Sequence, residues 1–204
     1  MTGPEVIVVR TGVANLASVL AGLRRAGAAP RVSNEPRDIE TASHLLLPGV
    51  GAFGAGMRQL ADDGLVAPLR ARVSAGRPTL AICLGLQLLC DASDEDLGVA
   101  GLGVVPGIVR RFPDTVRVPQ MGWNNVAPDE GCRLLRAGFA YFANSYRLAE
   151  CPSGWQAAYA EHGGRFVAAL EKGAVIGGQF HPELSGQWGL DLLRRWLGAG
   201  GETC

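Results

Sequence analysis

The amino-acid sequence predicts an α/β fold, and three observations carry that prediction. Ahead of Gly98, short apolar runs alternate with stretches whose apolar residues recur at helical spacing. Behind it, the texture changes to strand-like runs separated by turn residues. One amphipathic stretch then closes the chain. Strand alternating with helix implies parallel strands joined by crossover helices, and the later runs read as antiparallel strands added to that core. A chain of 204 residues with no linker and no repeat reads as a single domain over 1–204.

The elements follow in order. EVIVV (5–9) is a β-branched strand, broken at Thr11-Gly12. Leu16, Val19, Leu20 and Leu23 fall at i, i+3, i+4 and i+7, with Asn15 placed to cap the helix and Gly27 to end it in the left-handed conformation. Val32 marks a short strand, and residues 44–47 a stronger one stopped by Pro48-Gly49. Residues 56–75 read as helical, interrupted near Gly64 and Pro68. Residues 79–82 form an apolar strand, and a helix opens directly behind it at 84–89 and carries Cys90 inside it. Strand-like runs follow at 104–110, 116–126, 139–146, 155–161, 166–171 and 175–180, with Lys172-Gly173 as a hairpin turn between the last two. Ser185 stands near the start of the closing helix, whose stripe is Leu190, Leu193 and Leu197.

Composition excludes several classes of function. Lysine plus arginine equals aspartate plus glutamate at 19 each, and the arginines are scattered, so no field recruits nucleic acid or an anionic membrane. The apolar runs are too short to span a bilayer, and MTGPEVIVVR lacks the basic start and apolar length of a signal peptide. The expectation is a soluble cytoplasmic protein. Five cysteines (Cys83, Cys90, Cys132, Cys151, Cys204) are odd in number and form no CxxC pair, which supports neither a disulfide framework nor a zinc site. No metal and no organic cofactor is expected.

The sharpest feature is AICLGLQLL (81–89). Cys83 sits where a buried strand must turn abruptly into a helix, the geometry of a nucleophile elbow. The helix N-terminus favours thiolate, Gly85 permits close packing, and the Leu84 N–H points where an oxyanion would form. Cys90 suits the ordinary fate of a buried structural cysteine. A catalytic thiol needs a base, and three histidines are available. His44 opens an apolar strand and reads as a core histidine. His162 precedes Gly163-Gly164 and reads as an exposed loop residue. His181, in GQFHPE (178–183), ends a strand, and in an extended segment Glu183 lies on its side two residues on. Nucleophile, base and orienting carboxylate are then Cys83, His181 and Glu183. PGVGAFG (48–54) lies between a strand and a helix without the ending of a phosphate loop, so Val50 or Gly51 is the candidate for the second oxyanion N–H.

PGVGAFG, AICLGLQLL, VPQMGWN (118–124), YFANSY (141–146) and GGQFHPELS (177–185) together resemble the class I glutamine amidotransferases. More narrowly, the chain is similar to the glutaminase subunits of imidazole glycerol phosphate synthases. The resemblance implies a flavodoxin-like three-layer sandwich, with a mostly parallel central sheet and antiparallel strands in the C-terminal half. It implies hydrolysis of L-glutamine to glutamate and ammonia through a Cys83 thioester. Glutamine would be held by Gln87, the Gly51 backbone, Ser145 and Tyr146. A barrel-type cyclase subunit would complete a heterodimer for histidine biosynthesis, with Trp123, Asn124 and Leu184 toward it. Four places depart from the family pattern: RTGVAN (10–15) for DYGxGN, Ala81 for glycine, Asn144 for histidine and Leu184 for lysine. Those departures leave two other readings open on the same scaffold: a glutaminase serving another synthase, such as a sugar-amidating one, or a non-catalytic regulatory subunit.

Overall fold

The computed structural model describes residues 3–11 and 15–199. Residues 12–14, with Gly12 of the expected first turn, and Cys204 lie outside them. The first half alternates as expected: β1 (Glu5–Val8), α1 (Leu16–Ala26), β2 (Ala29–Val32), α2 (Pro36–Thr41), β3 (His44–Gly49), α3 (Phe53–Asp62), α4 (Val66–Ser74), β4 (Thr79–Cys83) and α5 (Leu84–Leu89). Asn15 caps α1 by accepting from the Ser18 N–H, and Gly27 ends it at φ 100°. The second half runs β5 (Cys90–Ser93), β6 (Val105–Arg111), β7 (Gln120–Pro128), β8 (Gly138–Asn144), β9 (Tyr146–Arg147), β10 (Gln156–Glu161), β11 (Arg165–Lys172), β12 (Val175–Gly178), a 3₁₀ turn (Pro182–Leu184) and α6 (Gly186–Ala199).

Nine strands form one sheet in the order β2-β1-β3-β4-β12-β11-β10-β7-β8. The first five are mutually parallel, and every pairing from β12 onward is antiparallel. Strand periodicity sends alternate side chains to opposite faces and builds two cores. Val6 and Val8 join Val19 and Leu23 of α1 and Leu192, Leu193 and Trp196 of α6. Ile7 and Val9 join Phe53, Leu60 and Leu69 of α3 and α4 and Leu84 and Leu88 of α5. Helices therefore cover both faces of the parallel half, and the expected three-layer arrangement is present. A smaller sheet, β5-β6-β9, packs beside the second core.

Several sequence expectations need correction. Cys90 is not inside α5 but opens β5, because the helix stops after six residues. The break in the 56–75 stretch falls at residues 63–65 alone; Pro68 sits in the first turn of α4, where its missing N–H costs no helical bond. The strand expected from Val116 starts at Gln120. The buried stripe of α6 is Gly189, Leu192, Leu193 and Trp196, with Leu190 and Leu197 only half-buried. Tryptophan supplies the anchor that a leucine count overlooks.

Candidate active site

The carboxyl ends of β3, β4 and β12 converge on one cavity, where an open parallel sheet places its ligands. At the end of β4, Cys83 holds φ 54° and ψ −110°, the one positive φ outside glycine among the described residues. Such a backbone costs about 1–3 kcal/mol and persists because its surroundings impose it. Those surroundings are close-packed. A Cβ on Gly85 would lie 2.1 Å from the Leu47 carbonyl oxygen, and one on Gly49 would lie 2.8 Å from the Leu84 Cβ. Glycine at both positions lets β3 and α5 meet and forces the thiol outward at the turn.

His181 arrives from the neighbouring strand. Gly178 of β12 pairs with Ile82 of β4, so the residues that follow each lie alongside Cys83. The backbone of His181 is held from β8: its N–H donates to the Tyr141 carbonyl at 2.9 Å. Its carbonyl accepts from Ser185 Oγ at 2.6 Å, and that hydroxyl oxygen accepts from the Tyr141 N–H at 2.9 Å. The imidazole Nδ1 meets Glu183 Oε1 at 2.9 Å, with both side chains buried. The contact is made through the 3₁₀ turn at Pro182–Leu184, not through the extended i, i+2 geometry expected from sequence. Burial works against charge on the ring, but Cys83 and Glu183 outweigh it, and His181 is raised to about 10. The ring is therefore an imidazolium at neutral pH, a proton donor in waiting.

The cavity has a volume of about 300 Å³ and is lined by Val50, Gly51, Cys83, Leu84, Gln87, Ser145, Tyr146 and His181, together with Glu95, Ala143 and Asn144. Every residue that sequence reasoning nominated for glutamine or for the oxyanion is on that wall. Gly51 has φ 95°, which only glycine adopts without strain. A second, apolar cavity of about 190 Å³ shares Val50, Ala143 and His181 with the first and extends to Val19, Glu183 and Leu184.

Glu95 escaped the sequence reading because DASDEDLG looks like a solvated acidic turn. Its Oε2 accepts from the Phe53 N–H at 2.8 Å, and Asp96 accepts from the Gly54 N–H at 2.6 Å. One signal existed: α3 begins without a capping side chain of its own, so its first donors require acceptors from elsewhere. Ser185 was read only as a helix start and proves to fasten His181.

The other histidines separate cleanly from the site. His44 is buried edge-on to Trp196 with ring centroids 5.1 Å apart, a core residue as expected. His162 lies in the turn between β10 and β11, a loop residue as expected, but half-buried: its Nε2 is 2.8 Å from the Arg117 carbonyl and its ring packs edge-on to Phe112. Of the candidate partner residues, Trp123 is 58% and Leu184 41% exposed. A Cβ on Gly186, two residues from Leu184, would lie 3.7 Å from the Trp123 ring, so these two share a face. Asn124 points to the other side of β7 and donates to the Glu161 carbonyl at 2.8 Å. Among the described residues no cluster of histidine, cysteine or acidic side chains could hold a metal, and no helix is long and apolar enough to cross a membrane.

A cysteine at a strained strand–helix turn, a histidine–glutamate pair beside it and this sheet order define a class. The family model of class-I glutamine amidotransferases matches residues 11–197, and the chain belongs to that family. Within it, the chain is 41% identical over 197 residues to the imidazole glycerol phosphate synthase subunit HisH of Symbiobacterium thermophilum, covering 94% of this chain and 92% of that protein. It is 42% identical to the HisH subunit of Carboxydothermus hydrogenoformans (92% and 96% covered) and 40% identical to that of Methanothermobacter thermautotrophicus (94% and 97%). Among solved structures, the fold matches a glutamine amidotransferase with a TM-score of 0.77 at 21% identity, covering 96% of this chain and 98% of that one. PurLQS from Thermotoga maritima matches at 0.74 and 15% identity, with the same coverage of each.

Proposed function

We propose that the chain is the glutaminase subunit of an imidazole glycerol phosphate synthase, hydrolysing L-glutamine and delivering ammonia to a cyclase subunit for histidine biosynthesis. The observation that carries the chemistry is that Cys83, forced outward by its strained backbone, shares a cavity wall with His181, whose ring is held by Glu183. Relatives of about 40% identity along nearly the whole chain, each a HisH subunit, support the synthase assignment.

In this reading the Cys83 sulfur attacks the side-chain amide carbon of glutamine. The oxyanion is held by the N–H groups of Leu84 and of the Val50–Gly51 turn. When the C–N bond breaks, His181 gives its proton to the departing nitrogen, and ammonia leaves. The now neutral imidazole takes a proton from water as it attacks the thioester, releasing glutamate and restoring the starting charges. Glutamine's α-ammonium faces the Glu95 carboxylate, the one acidic side chain on the cavity wall. Ammonia departs through the adjoining apolar cavity toward Leu184, on the face shared with Trp123. Docking of a cyclase barrel on that face makes the working enzyme a heterodimer.

The test is a coupled assay with the cyclase subunit. Cys83→Ala abolishes glutamine-dependent synthesis and leaves ammonia-dependent synthesis in place. Glutamine hydrolysis by the variant at the wild-type rate refutes the nucleophile. Failure of the wild-type chain to supply any histidine-pathway cyclase refutes the synthase.

A further inference from the structure

Gln179 has no role in the scheme above, although it is 1% exposed and lies level with Cys83 at the end of β12. Its Nε2 donates to Cys83 Sγ at 3.5 Å, and its Oε1 accepts from Gln87 Nε2 at 3.0 Å. Gln87 Nε2 also donates to the Tyr146 carbonyl at 3.4 Å. Amide oxygen and nitrogen are readily interchanged in a structure, so the polarity of such a chain must be argued. Here a backbone carbonyl settles it. The Tyr146 oxygen only accepts, so the Gln87 atom facing it is the NH₂ group. That group has a second hydrogen for Gln179, whose facing atom must therefore be oxygen. The remaining end of the Gln179 amide is nitrogen, and it presents an N–H to the sulfur. With both Gln87 hydrogens committed to protein, the Gln87 oxygen remains as an acceptor on the wall of the glutamine cavity.

We infer that Gln179 is a positioning residue for the nucleophile, the middle link of an amide relay running from the Tyr146 carbonyl through Gln87 and Gln179 to the Cys83 sulfur. The inference rests on reading Cys83 as the nucleophile. The amide N–H donates to the sulfur and so fixes where the sulfur stands and which of its lone pairs remain free for attack. The Tyr146 carbonyl orients the Gln87 amide, and the Gln87 N–H on the Gln179 oxygen polarises that amide and strengthens its N–H toward the sulfur, which ties the wall residue Gln87 to the reactivity of the thiol. Gln179 and His181 stand two residues apart in the bend that follows β12, so one short segment supplies both groups that address the sulfur. The neighbouring Gln179 N–H is fixed to the Ala168 carbonyl at 2.8 Å, which keeps the residue in register.

The experiment follows alkylation of Cys83 by iodoacetamide, read by mass spectrometry, across a pH series without partner or substrate. The charged or titratable groups facing Cys83 are His181, with Glu183 behind it, and Glu95 and Tyr146 across the cavity. All are shared by wild type and variants. Gln179→Leu, which keeps the volume and removes the donor, labels roughly tenfold more slowly. In the glutaminase assay it lowers kcat more than it raises KM. Gln87→Met leaves Gln179 in place, breaks the upstream link and slows labelling to a smaller extent. Equal labelling of wild type and Gln179→Leu at every pH overturns the inference. Should the leucine variant fail to fold, unchanged labelling in Gln87→Met overturns the relay. Failure of the underlying reading looks different: an electrophilic glutamine analogue would then leave wild-type Cys83 unmodified.

Discussion

The N–H of His181 donates to the carbonyl of Tyr141 across 2.9 Å, fastening the segment that follows β12 to a strand that forms the far edge of the same sheet. Ser185 closes the loop by bonding both the Tyr141 N–H and the His181 carbonyl. The imidazole is thus aimed by main-chain bonds to β8 as well as by Glu183. Ser185→Ala leaves the half-buried Tyr141 donor and the His181 carbonyl without this partner. The expected loss is about 1–3 kcal/mol in chemical denaturation, with a lower glutaminase kcat. Unchanged kcat in a destabilised variant would mean that Glu183 alone aims the ring.

The strained turn at Cys83 gives a prediction that separates chemistry from stability. Both Cys83→Ala and Cys83→Gly are inactive, but glycine accepts φ 54° freely and alanine does not. Cys83→Gly is expected to exceed Cys83→Ala in stability, by about 1 kcal/mol, when the two are melted side by side. Selective labelling follows from the same geometry. Burial pushes the Cys90 thiol up to about 12 and the Cys132 thiol up to about 11, so a glutamine-directed electrophile modifies Cys83 and spares both.

Two histidines tilt the pH dependence of stability in opposite directions. His181 is raised to about 10, so the folded state holds its proton more tightly than the unfolded chain, where histidine titrates near about 6.5. Its contribution is complete below about pH 6.5 and is lost as the pH rises toward 10. His44 is lowered by burial, and by the nearby Arg72 charge, so it contributes above about pH 6.5 and loses that contribution as the pH falls. Melting temperatures across pH should show a flatter alkaline limb in His181→Asn and a flatter acid limb in His44→Phe. Identical limbs in wild type and variants would contradict both assignments.

Gly22 of α1 lies against the carboxylate end of the proposed triad. A Cβ there would sit 3.2 Å from the Glu183 Cβ. Gly22→Ala gains up to about 1 kcal/mol of helix propensity while pressing on Glu183, so stability changes little. Gly22→Val cannot be absorbed and displaces the carboxylate. The expected fall in glutaminase kcat is about 10- to 100-fold for valine, and smaller for alanine. Wild-type kinetics in the valine variant would show that Glu183 tolerates displacement.

Leu184 presents apolar area on the face proposed for the cyclase, at a position where the resemblance leads to an expectation of lysine. An exposed ion pair contributes about 0–1 kcal/mol, so its absence should not prevent docking. Leu184→Lys is expected to weaken binding to this chain's own cyclase, with stronger salt dependence, because an ammonium would be covered without a counter-charge. Tighter binding by the lysine variant in a subunit titration would reveal a carboxylate opposite.

What could be read from the sequence was whatever depended on local patterning. The α1 stripe with its Asn15 and Gly27 caps, the alternation of the parallel half and the elbow at Cys83 are local, and each stands where spacing placed it. The sequence misled where a distant partner decided. Cys90 follows five good helix formers, yet the chain turns there because β5 finds β6 beside it, pairing Cys90 with Val105. Glu95 gains its place on the cavity wall from a helix whose own sequence lacks a cap, a relationship spread over 42 residues. Gln179 needed the strand pairing before its amide could be seen to reach the sulfur.

That pairing has a consequence for how the protein is made. The chain positions that bring an N–H to Cys83 lie 96 residues downstream of it. At roughly 5–20 residues per second, a ribosome extends the chain for about 5–20 s between synthesising the thiol and synthesising the groups that arm it. During that interval the emerging polypeptide holds a cysteine with neither acid nor amide beside it. A product cut short before β12 lacks Gln179, His181 and Glu183 and is expected to release no ammonia from glutamine. Competence arrives only with the final stretch of translation, which makes the last strand to be threaded a check that the whole subunit has been delivered.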